Sequence, residues 1–211
     1  MMKTLHIVCA VLLLLFSRSQ PATADTRELM STLKQGGYVL VFRHVATDDS
    51  QKDIYPFNFE DMKAQRQLSD KGRDMARQIG AAIKKLGIPS GVIYTSRLNR
   101  AIETGKLLFD KDVTPVDALT DSSAESTSGM ANPIGTNQKA GLAVRELVNV
   151  APKAGTNNML VTHKTNIADA FGKEASDVQE GEAFVYKSDG SGPSAFVTRI
   201  KAADWIAQAA D

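Results

Sequence analysis

The sequence predicts an α/β fold, a three-layer α/β/α sandwich with a mostly parallel central sheet. Short β-prone apolar runs alternate with segments of helical periodicity along most of the 211-residue chain. The run Tyr38–Phe42 is apolar throughout, which is typical of a central strand buried on both faces. Such alternation favours parallel strands joined by helices that cover both sides of the sheet.

The first 24 residues have the layout of a secretory signal peptide. Lys3 supplies a positive charge, an apolar run of ten residues covers 7–16, and Ala22-Thr23-Ala24 offers a cleavage site. A helix needs about 20 apolar residues to span a bilayer, so a retained membrane anchor is the weaker alternative. We expect a periplasmic or secreted protein without a stable membrane anchor, consisting of one domain over 25–211.

Composition excludes several classes of function for that domain. Cys9 is the only cysteine and would leave with the signal peptide, which excludes disulfides and thiol catalysis. Loss of Lys3 and Arg18 would leave 23 basic residues against 24 acidic ones, a formal net charge of −1. This near-neutral balance gives no reason to expect a nucleic-acid partner.

The first half of the domain alternates helix and strand. Gly36 and Gly37 end a first short helix. Ser69 is a typical N-cap for the next helix, which Gly87 and Pro89 end. The expected elements are a helix over 26–34, a strand over 38–42, a loop over 48–61, a helix over 69–86 with an apolar stripe of Met75, Ile79, Ile83 and Leu86, and a strand over 92–95.

The second half continues the pattern. Ser96 is expected to cap a helix that carries Leu98, Ile102 and Leu108 on one side. The longest loop covers 117–137 and is rich in Ser, Thr, Asp and Gly. The remaining elements are a short strand near 113–116, a helix over 138–150, a strand over 159–162, a helix from about 166, strands over 183–187 and 195–200, and a last helix with Trp205.

Reactive side chains follow three predicted strands. Arg43 and His44 end the first, Ser96 and Arg100 follow the second, and His163 follows the strand over 159–162. In α/β sheets, ligands bind at the carboxyl ends of the strands. Both histidines of the domain stand at such ends, although a histidine beside a strand is more often an ordinary packed residue.

This set of residues suits phosphoryl transfer. The arginine fork matches phosphate oxygens and stays charged at any working pH. A neutral imidazole nitrogen can attack phosphorus and form a covalent intermediate. A metal site is the rival interpretation, but zinc needs three or four ligands, and here two histidines stand among arginines. We expect neither a metal nor another cofactor.

Four blocks of sequence resemble the histidine phosphatase superfamily, also called phosphoglycerate-mutase-like. They occur in the family's order, and together they span roughly 25–200. The resemblance implies a phosphoglycerate-mutase-like fold and a phosphatase that acts through phosphohistidine. The blocks are Val-Leu-Val-Phe-Arg43-His44, Leu68-Ser-Asp-Lys-Gly72-Arg, Tyr94-Thr-Ser-Arg-Leu-Asn-Arg100-Ala-Ile-Glu-Thr104 and Leu160-Val-Thr-His163.

The resemblance also implies roles for single residues. His44 matches the phosphorylated histidine, and Arg43, Arg100 and His163 match the other phosphate-pocket residues. Thr47 stands where relatives often have a Ser or Thr near the phosphate.

Glu103 and Thr104 are expected to be surface and packing residues of their helix. Val45 and Lys164 depart from the pattern, because relatives typically have Gly after each histidine. Val45 could narrow the loop or require a different backbone angle. Lys164 is expected to face solvent; the alternative is that it adds positive charge for a polyanionic substrate.

The proton donor for the leaving group is open. Asp121 loosely fits a pattern of the mutase-like branch, Glu125 lies in the same loop, and Glu182 is a remoter candidate; Asp121 and Glu125 could equally be solvated loop residues. We expect a phosphomonoesterase that acts on a small phosphorylated substrate or a phosphorylated glycan. A phosphohistidine protein phosphatase and a catalytically weak phosphate-binding module are the alternatives.

Overall fold

The computed structural model describes residues 23–121 and 135–210. Glu125 lies outside these residues, and so does the predicted signal peptide except for its last two residues. Three short 3-10 segments accompany the main elements. The helices are α1 (Thr23–Leu33), α2 (Asp70–Lys85), α3 (Asn99–Phe109), α4 (Gln138–Val148), α5 (Lys164–Phe171) and α6 (Ala202–Ala210). The strands are β1 (Tyr38–Arg43), β2 (Ser90–Thr95), β3 (Thr114–Pro115), β4 (Asn157–Thr162), β5 (Ala183–Lys187) and β6 (Ala195–Ile200).

The described strands form one sheet in the order β3-β2-β4-β1-β5-β6. The pairs β2–β3, β2–β4 and β1–β4 are parallel, whereas β5 runs antiparallel to both β1 and β6. The predicted mostly parallel central sheet is therefore confirmed. The last two strands are a hairpin with the predicted bounds, and it extends the sheet beside β1.

Side chains of β1 alternate between two separate cores, one on each face of the sheet. Leu40 and Phe42 point to the face covered by α1, α2, α3 and α6. Val39 and Val41 point to the opposite face, covered by α4 and α5. The predicted three-layer arrangement follows from this alternation, because each strand residue must bury its side chain under a helix. Trp205 of α6 is fully buried and stacks on Phe42, with ring centroids 6.2 Å apart.

The start of α2 fixes the loop that follows β1. The Ser69 hydroxyl accepts a hydrogen bond from the Gly72 amide at 3.1 Å, which confirms the predicted N-cap. A Cβ atom on Gly72 would lie 2.0 Å from the Ala46 carbonyl oxygen, so only glycine permits this approach. The backbone just after His44 is thus packed against a helix end.

Three predicted helix starts are wrong by two or three residues, and the first of them is α1, which begins at Thr23 instead of 26. Leu98, and not Ser96, is the N-cap of α3, and the Ser96 hydroxyl instead accepts a hydrogen bond from the Leu98 amide at 3.1 Å. Helix α5 begins at Lys164 instead of 166, which makes His163 its N-cap residue. Within the described part of the chain, no helix has the length and apolar character needed to cross a membrane.

Candidate active site

The candidate active site lies where three neighbouring strands end, because β4 stands between β1 and β2. The His44 amide donates to the Thr162 carbonyl at 3.0 Å, and the Ser96 amide donates to the Val161 carbonyl at 2.9 Å. These bonds continue the sheet pairing past the strand ends. The rings of His44 and His163 consequently lie close, with centroids 5.2 Å apart.

His44 is buried and held in one tautomer. Its Nδ1 lies 2.8 Å from the Val45 carbonyl oxygen. A carbonyl only accepts hydrogen bonds, so Nδ1 carries the ring proton and Nε2 keeps its lone pair. Burial, followed by the nearby His163 and Arg100, holds the pKa of His44 well below its ordinary value of 6.5. A neutral imidazole with a free Nε2 is the form that can attack phosphorus.

His163 is held through the other ring nitrogen, Nε2. Its Nε2 lies 2.8 Å from the Ser96 hydroxyl, which already accepts from the Leu98 amide. With that hydroxyl donating to Nε2, the ring proton stands on Nδ1, which makes no hydrogen bond among the described residues. Burial, then Arg100, lowers the pKa of His163 well below 6.5. The ring can therefore offer Nδ1–H to an anionic oxygen.

Two arginines, half-buried Arg43 and buried Arg100, complete the set as a clamp for an anion. Arg43 donates from Nη1 to the Val178 carbonyl at 2.9 Å and from Nη2 to Glu180 Oε1 at 3.4 Å. Arg100 is only 2% exposed and donates from Nη1 to Asp53 Oδ1 at 3.1 Å. Burial lowers the pKa of both guanidinium groups, but arginine remains charged.

Three buried nitrogen donors of the site make no hydrogen bond within the described chain. They are Arg43 Nε, Arg100 Nε and His163 Nδ1. Buried polar groups normally have a hydrogen-bond partner, so unpaired donors that lie together at one edge of the sheet indicate a binding site for an anion. Phosphate oxygens, which accept several bonds each, match these donors.

Sequence reasoning missed two residues of the loop after β1. Asp53 accepts from the Arg66 amide at 2.8 Å as well as from Arg100, so it orients the clamp. Arg66 adds positive charge that lowers the pKa of His163. No signal in the sequence identifies either residue, because loop residues follow no periodic pattern.

Of the candidate proton donors, the structure places Asp121 at the site. Its Oδ2 lies 3.9 Å from Arg100 Nη2. The neighbouring Thr120 is fixed, since its hydroxyl accepts from the Arg97 amide and its carbonyl accepts from Asn166. Glu125 lies outside the described residues.

Glu182 is unsuited to donate a proton. It is buried and accepts from Arg199 Nε and Nη2 at 2.8 and 2.9 Å. A paired carboxylate of this kind has a structural role.

The residues after the two histidines keep ordinary backbone geometry. Asp110 is the only described non-glycine residue with a positive φ, so Val45 needs no glycine-like angle, and its side chain is buried in the core. Thr47 is half-buried and pairs with Leu68 in an isolated β-bridge near the site. Lys164 is half-buried as the first residue of α5.

Comparison with known proteins gives the family. Residues 39–140 match the model of the histidine phosphatase superfamily (branch 1). This range holds Arg43, His44 and Arg100, and the sheet brings His163 beside them. This part of the chain is therefore similar to the histidine phosphatase superfamily. The resemblance inferred from the four sequence blocks is therefore confirmed.

Solved structures share the fold at low sequence identity. The protein histidine phosphatase SixA complexed with tungstate is 15% identical, with a TM-score of 0.52 over 79% of this chain and 98% of that one. A putative alpha-ribazole-5'-P phosphatase from Escherichia coli is 16% identical, with a TM-score of 0.53 over 79% and 97%. A mycobacterial glucosyl-3-phosphoglycerate phosphatase with VO3 is 15% identical, with a TM-score of 0.54 over 77% and 96%. No curated protein matches the sequence.

Proposed function

We propose that this protein is an exported phosphatase that hydrolyses a small phosphomonoester through a phosphohistidine on His44. One observation carries the mechanism: the hydrogen bond from His44 Nδ1 to the Val45 carbonyl leaves Nε2 free beside Arg43 Nε, Arg100 Nε and His163 Nδ1, three donors that make no hydrogen bond among the described residues. The family of the chain supports the reaction class. The free nucleophile also favours catalysis over a phosphate-binding module.

In the first step, His44 Nε2 attacks phosphorus and forms a P–N bond while the ester P–O bond breaks. Arg43, Arg100 and His163 Nδ1–H stabilise the charge on the phosphoryl oxygens. The leaving oxygen takes a proton from Asp121. In the second step, water attacks phosphorus and the P–N bond breaks. Asp121, now a carboxylate, takes the proton of that water, so inorganic phosphate and free His44 result.

A cavity of about 430 Å³ adjoins the phosphate pocket and suits the leaving group. Asp121 lies in its wall and also faces Arg100, so an ester oxygen bound between the two spaces would meet the acid. Among the described residues, the wall combines charged and polar groups with one aromatic ring and three alanines, which suits a leaving group with both hydroxyl groups and apolar faces, such as a sugar. The lining includes Phe59, Arg97, Asp117, Thr120, Asp121, Asn137 and Lys139.

A phosphohistidine protein phosphatase is the second candidate. A histidine leaving group needs less protonation than an alkoxide, so such an enzyme works without an acid. The position of Asp121 and the adjoining cavity favour the phosphomonoester. The two candidates therefore differ in how much Asp121 contributes to the rate when the basicity of the leaving group is varied.

The activity test uses para-nitrophenyl phosphate and an alkyl phosphate with EDTA present. Wild type should hydrolyse both, and vanadate, a mimic of the phosphoryl transition state, should inhibit at low concentration. Asp121→Asn should lose alkyl phosphate turnover by roughly 10²- to 10⁴-fold, the usual contribution of an acid. It should retain much activity on para-nitrophenyl phosphate.

Two results contradict this proposal. Activity lost to EDTA and restored by zinc or magnesium would require a metal centre. Equal loss on both substrates in Asp121→Asn would remove Asp121 as the acid. Glu125→Gln then becomes the comparison.

Export rests on the layout of residues 1–24. Cleavage after Ala24 would remove the first two residues of α1 and place Asp25 at the N-terminus. The buried anchors Met30 and Leu33 would stay in the mature chain. Intact-mass measurement of the exported protein should find Asp25 first; Met1 retained in the functional form would disprove cleavage.

A further inference from the structure

Thr104 joins the two halves of the phosphate pocket through one buried hydroxyl. It lies on α3 one turn after Arg100 and is fully buried. Its Oγ1 donates to the Arg100 carbonyl at 2.7 Å and accepts from the Val45 amide at 3.3 Å. The same atom is therefore bonded to the backbone of the clamp arginine and to the residue after His44.

The Val45 peptide groups control the His44 ring. The Val45 carbonyl accepts the Nδ1 hydrogen bond at 2.8 Å, and the Val45 amide is the group that Thr104 holds. The next carbonyl, of Ala46, accepts from the Ser69 amide at 3.1 Å. The short segment after the nucleophile is thus fixed from α3 on one side and from α2 on the other.

Helix stability does not explain this hydroxyl. A threonine that bonds back to the carbonyl four residues earlier slightly destabilises a helix. Valine has the same shape and would fill the same buried space. What the hydroxyl adds is the acceptor for the Val45 amide, which would otherwise be a buried unpaired donor.

We propose that Thr104 is a positioning residue for the phosphohistidine reaction. It acts through the Val45 backbone to keep His44 in the Nδ1–H tautomer and to aim Nε2 at the phosphoryl group that Arg100 binds. This inference rests on the proposed function. It assigns to Thr104 a role beyond the packing role expected from the sequence.

The test compares Thr104→Val with Thr104→Ser. Thr104→Val removes both hydrogen bonds at constant shape, and should reduce kcat by roughly 10- to 100-fold, since a misplacement of about 1 Å can cost 100-fold. KM should change little, because the arginine clamp stays. Thr104→Ser keeps the hydroxyl and should restore most of the rate.

Thr95→Val is the matched control. Thr95 is equally buried, and its hydroxyl makes no hydrogen bond within the described residues. Its rate should equal that of wild type. If Thr104→Val fails to fold, Thr104→Cys keeps a group of similar size with weaker hydrogen bonds and should show the same direction of change.

A second readout separates positioning from simple stability. Nitrogen-15 NMR of the imidazoles should find His44 in the single Nδ1–H tautomer in wild type and Thr104→Ser, and in a tautomer mixture in Thr104→Val. An unchanged tautomer and an unchanged rate in Thr104→Val would overturn the proposal. The NMR result decides this even if wild type forms no phosphohistidine, an outcome that would instead disprove the proposed function.

Discussion

His44→Ala should abolish both turnover and the trapping of phosphate on the protein. In wild type, rapid quenching with base during turnover should capture phosphate on the peptide that contains Arg43 and His44. Acid should then release it, because phosphoramidates are acid-labile. The loss of rate should be on the order of a million-fold, similar to removing the nucleophile from another covalent hydrolase.

His163→Ala provides the comparison. Its ring offers Nδ1–H to the phosphoryl oxygens and forms no covalent bond, so turnover should fall while some label persists. Label on His163 in place of His44 would reverse the two assignments. Robust turnover with neither histidine labelled would favour direct attack by water.

Arg100→Ala should cost about 2 to 4 kcal/mol of transition-state stabilisation, as does the loss of one preorganised oxyanion donor. This corresponds to a decrease of roughly 30- to 1000-fold in kcat/KM. The reason is that Arg100 is buried beside the nitrogen donors of the phosphate pocket. The low dielectric there strengthens its electrostatic attraction to the phosphoryl oxygens. Steady-state kinetics with para-nitrophenyl phosphate and the affinity for vanadate should both report the loss.

Removing Arg100 also takes from Asp53 its ion-pair partner and leaves it only the Arg66 amide, and the side chain of Asp53 is only 9% exposed. Arg100→Lys keeps the charge and loses the fork, so a large loss in this variant would show that geometry matters. Arg77→Ala is the control, since Arg77 pairs with Asp74 on the exposed surface of α2. Wild-type kinetics in Arg100→Ala would exclude Arg100 from the site.

The parts of the fold that the sequence predicted are those with a strong local signal. The apolar run at β1 and the turn residues between β5 and β6 are local signals. They predicted the strands at these positions without any information on tertiary contacts. Ser69 predicted the start of α2 correctly because its hydroxyl accepts a hydrogen bond from an amide only three residues away. His44 and His163 were predicted to meet because both follow parallel strands of one sheet.

The missed features depend on contacts distant in sequence. Ser96 is a residue type that often caps helices, yet its hydroxyl bonds to His163, which follows the neighbouring strand β4. Asp53 and Arg66 come from an irregular loop, and Asp53 accepts from both Arg100 and the Arg66 amide only after that loop folds beside the start of α3. Thr104 looks like a packing residue in the sequence, since the Val45 amide that it binds is 59 positions earlier.

The place of β4 in the sheet has a consequence for how the enzyme matures. Strands β1 and β2 precede it in the chain, yet neither touches the other, and both pair with β4. A nascent chain that ends before 157 therefore lacks His163 and the strand that pairs with both β1 and β2. Closing such long loops is slow. Phosphate recognition should accordingly emerge late, in the same event that completes the sheet, so that incompletely folded molecules have no partial active site.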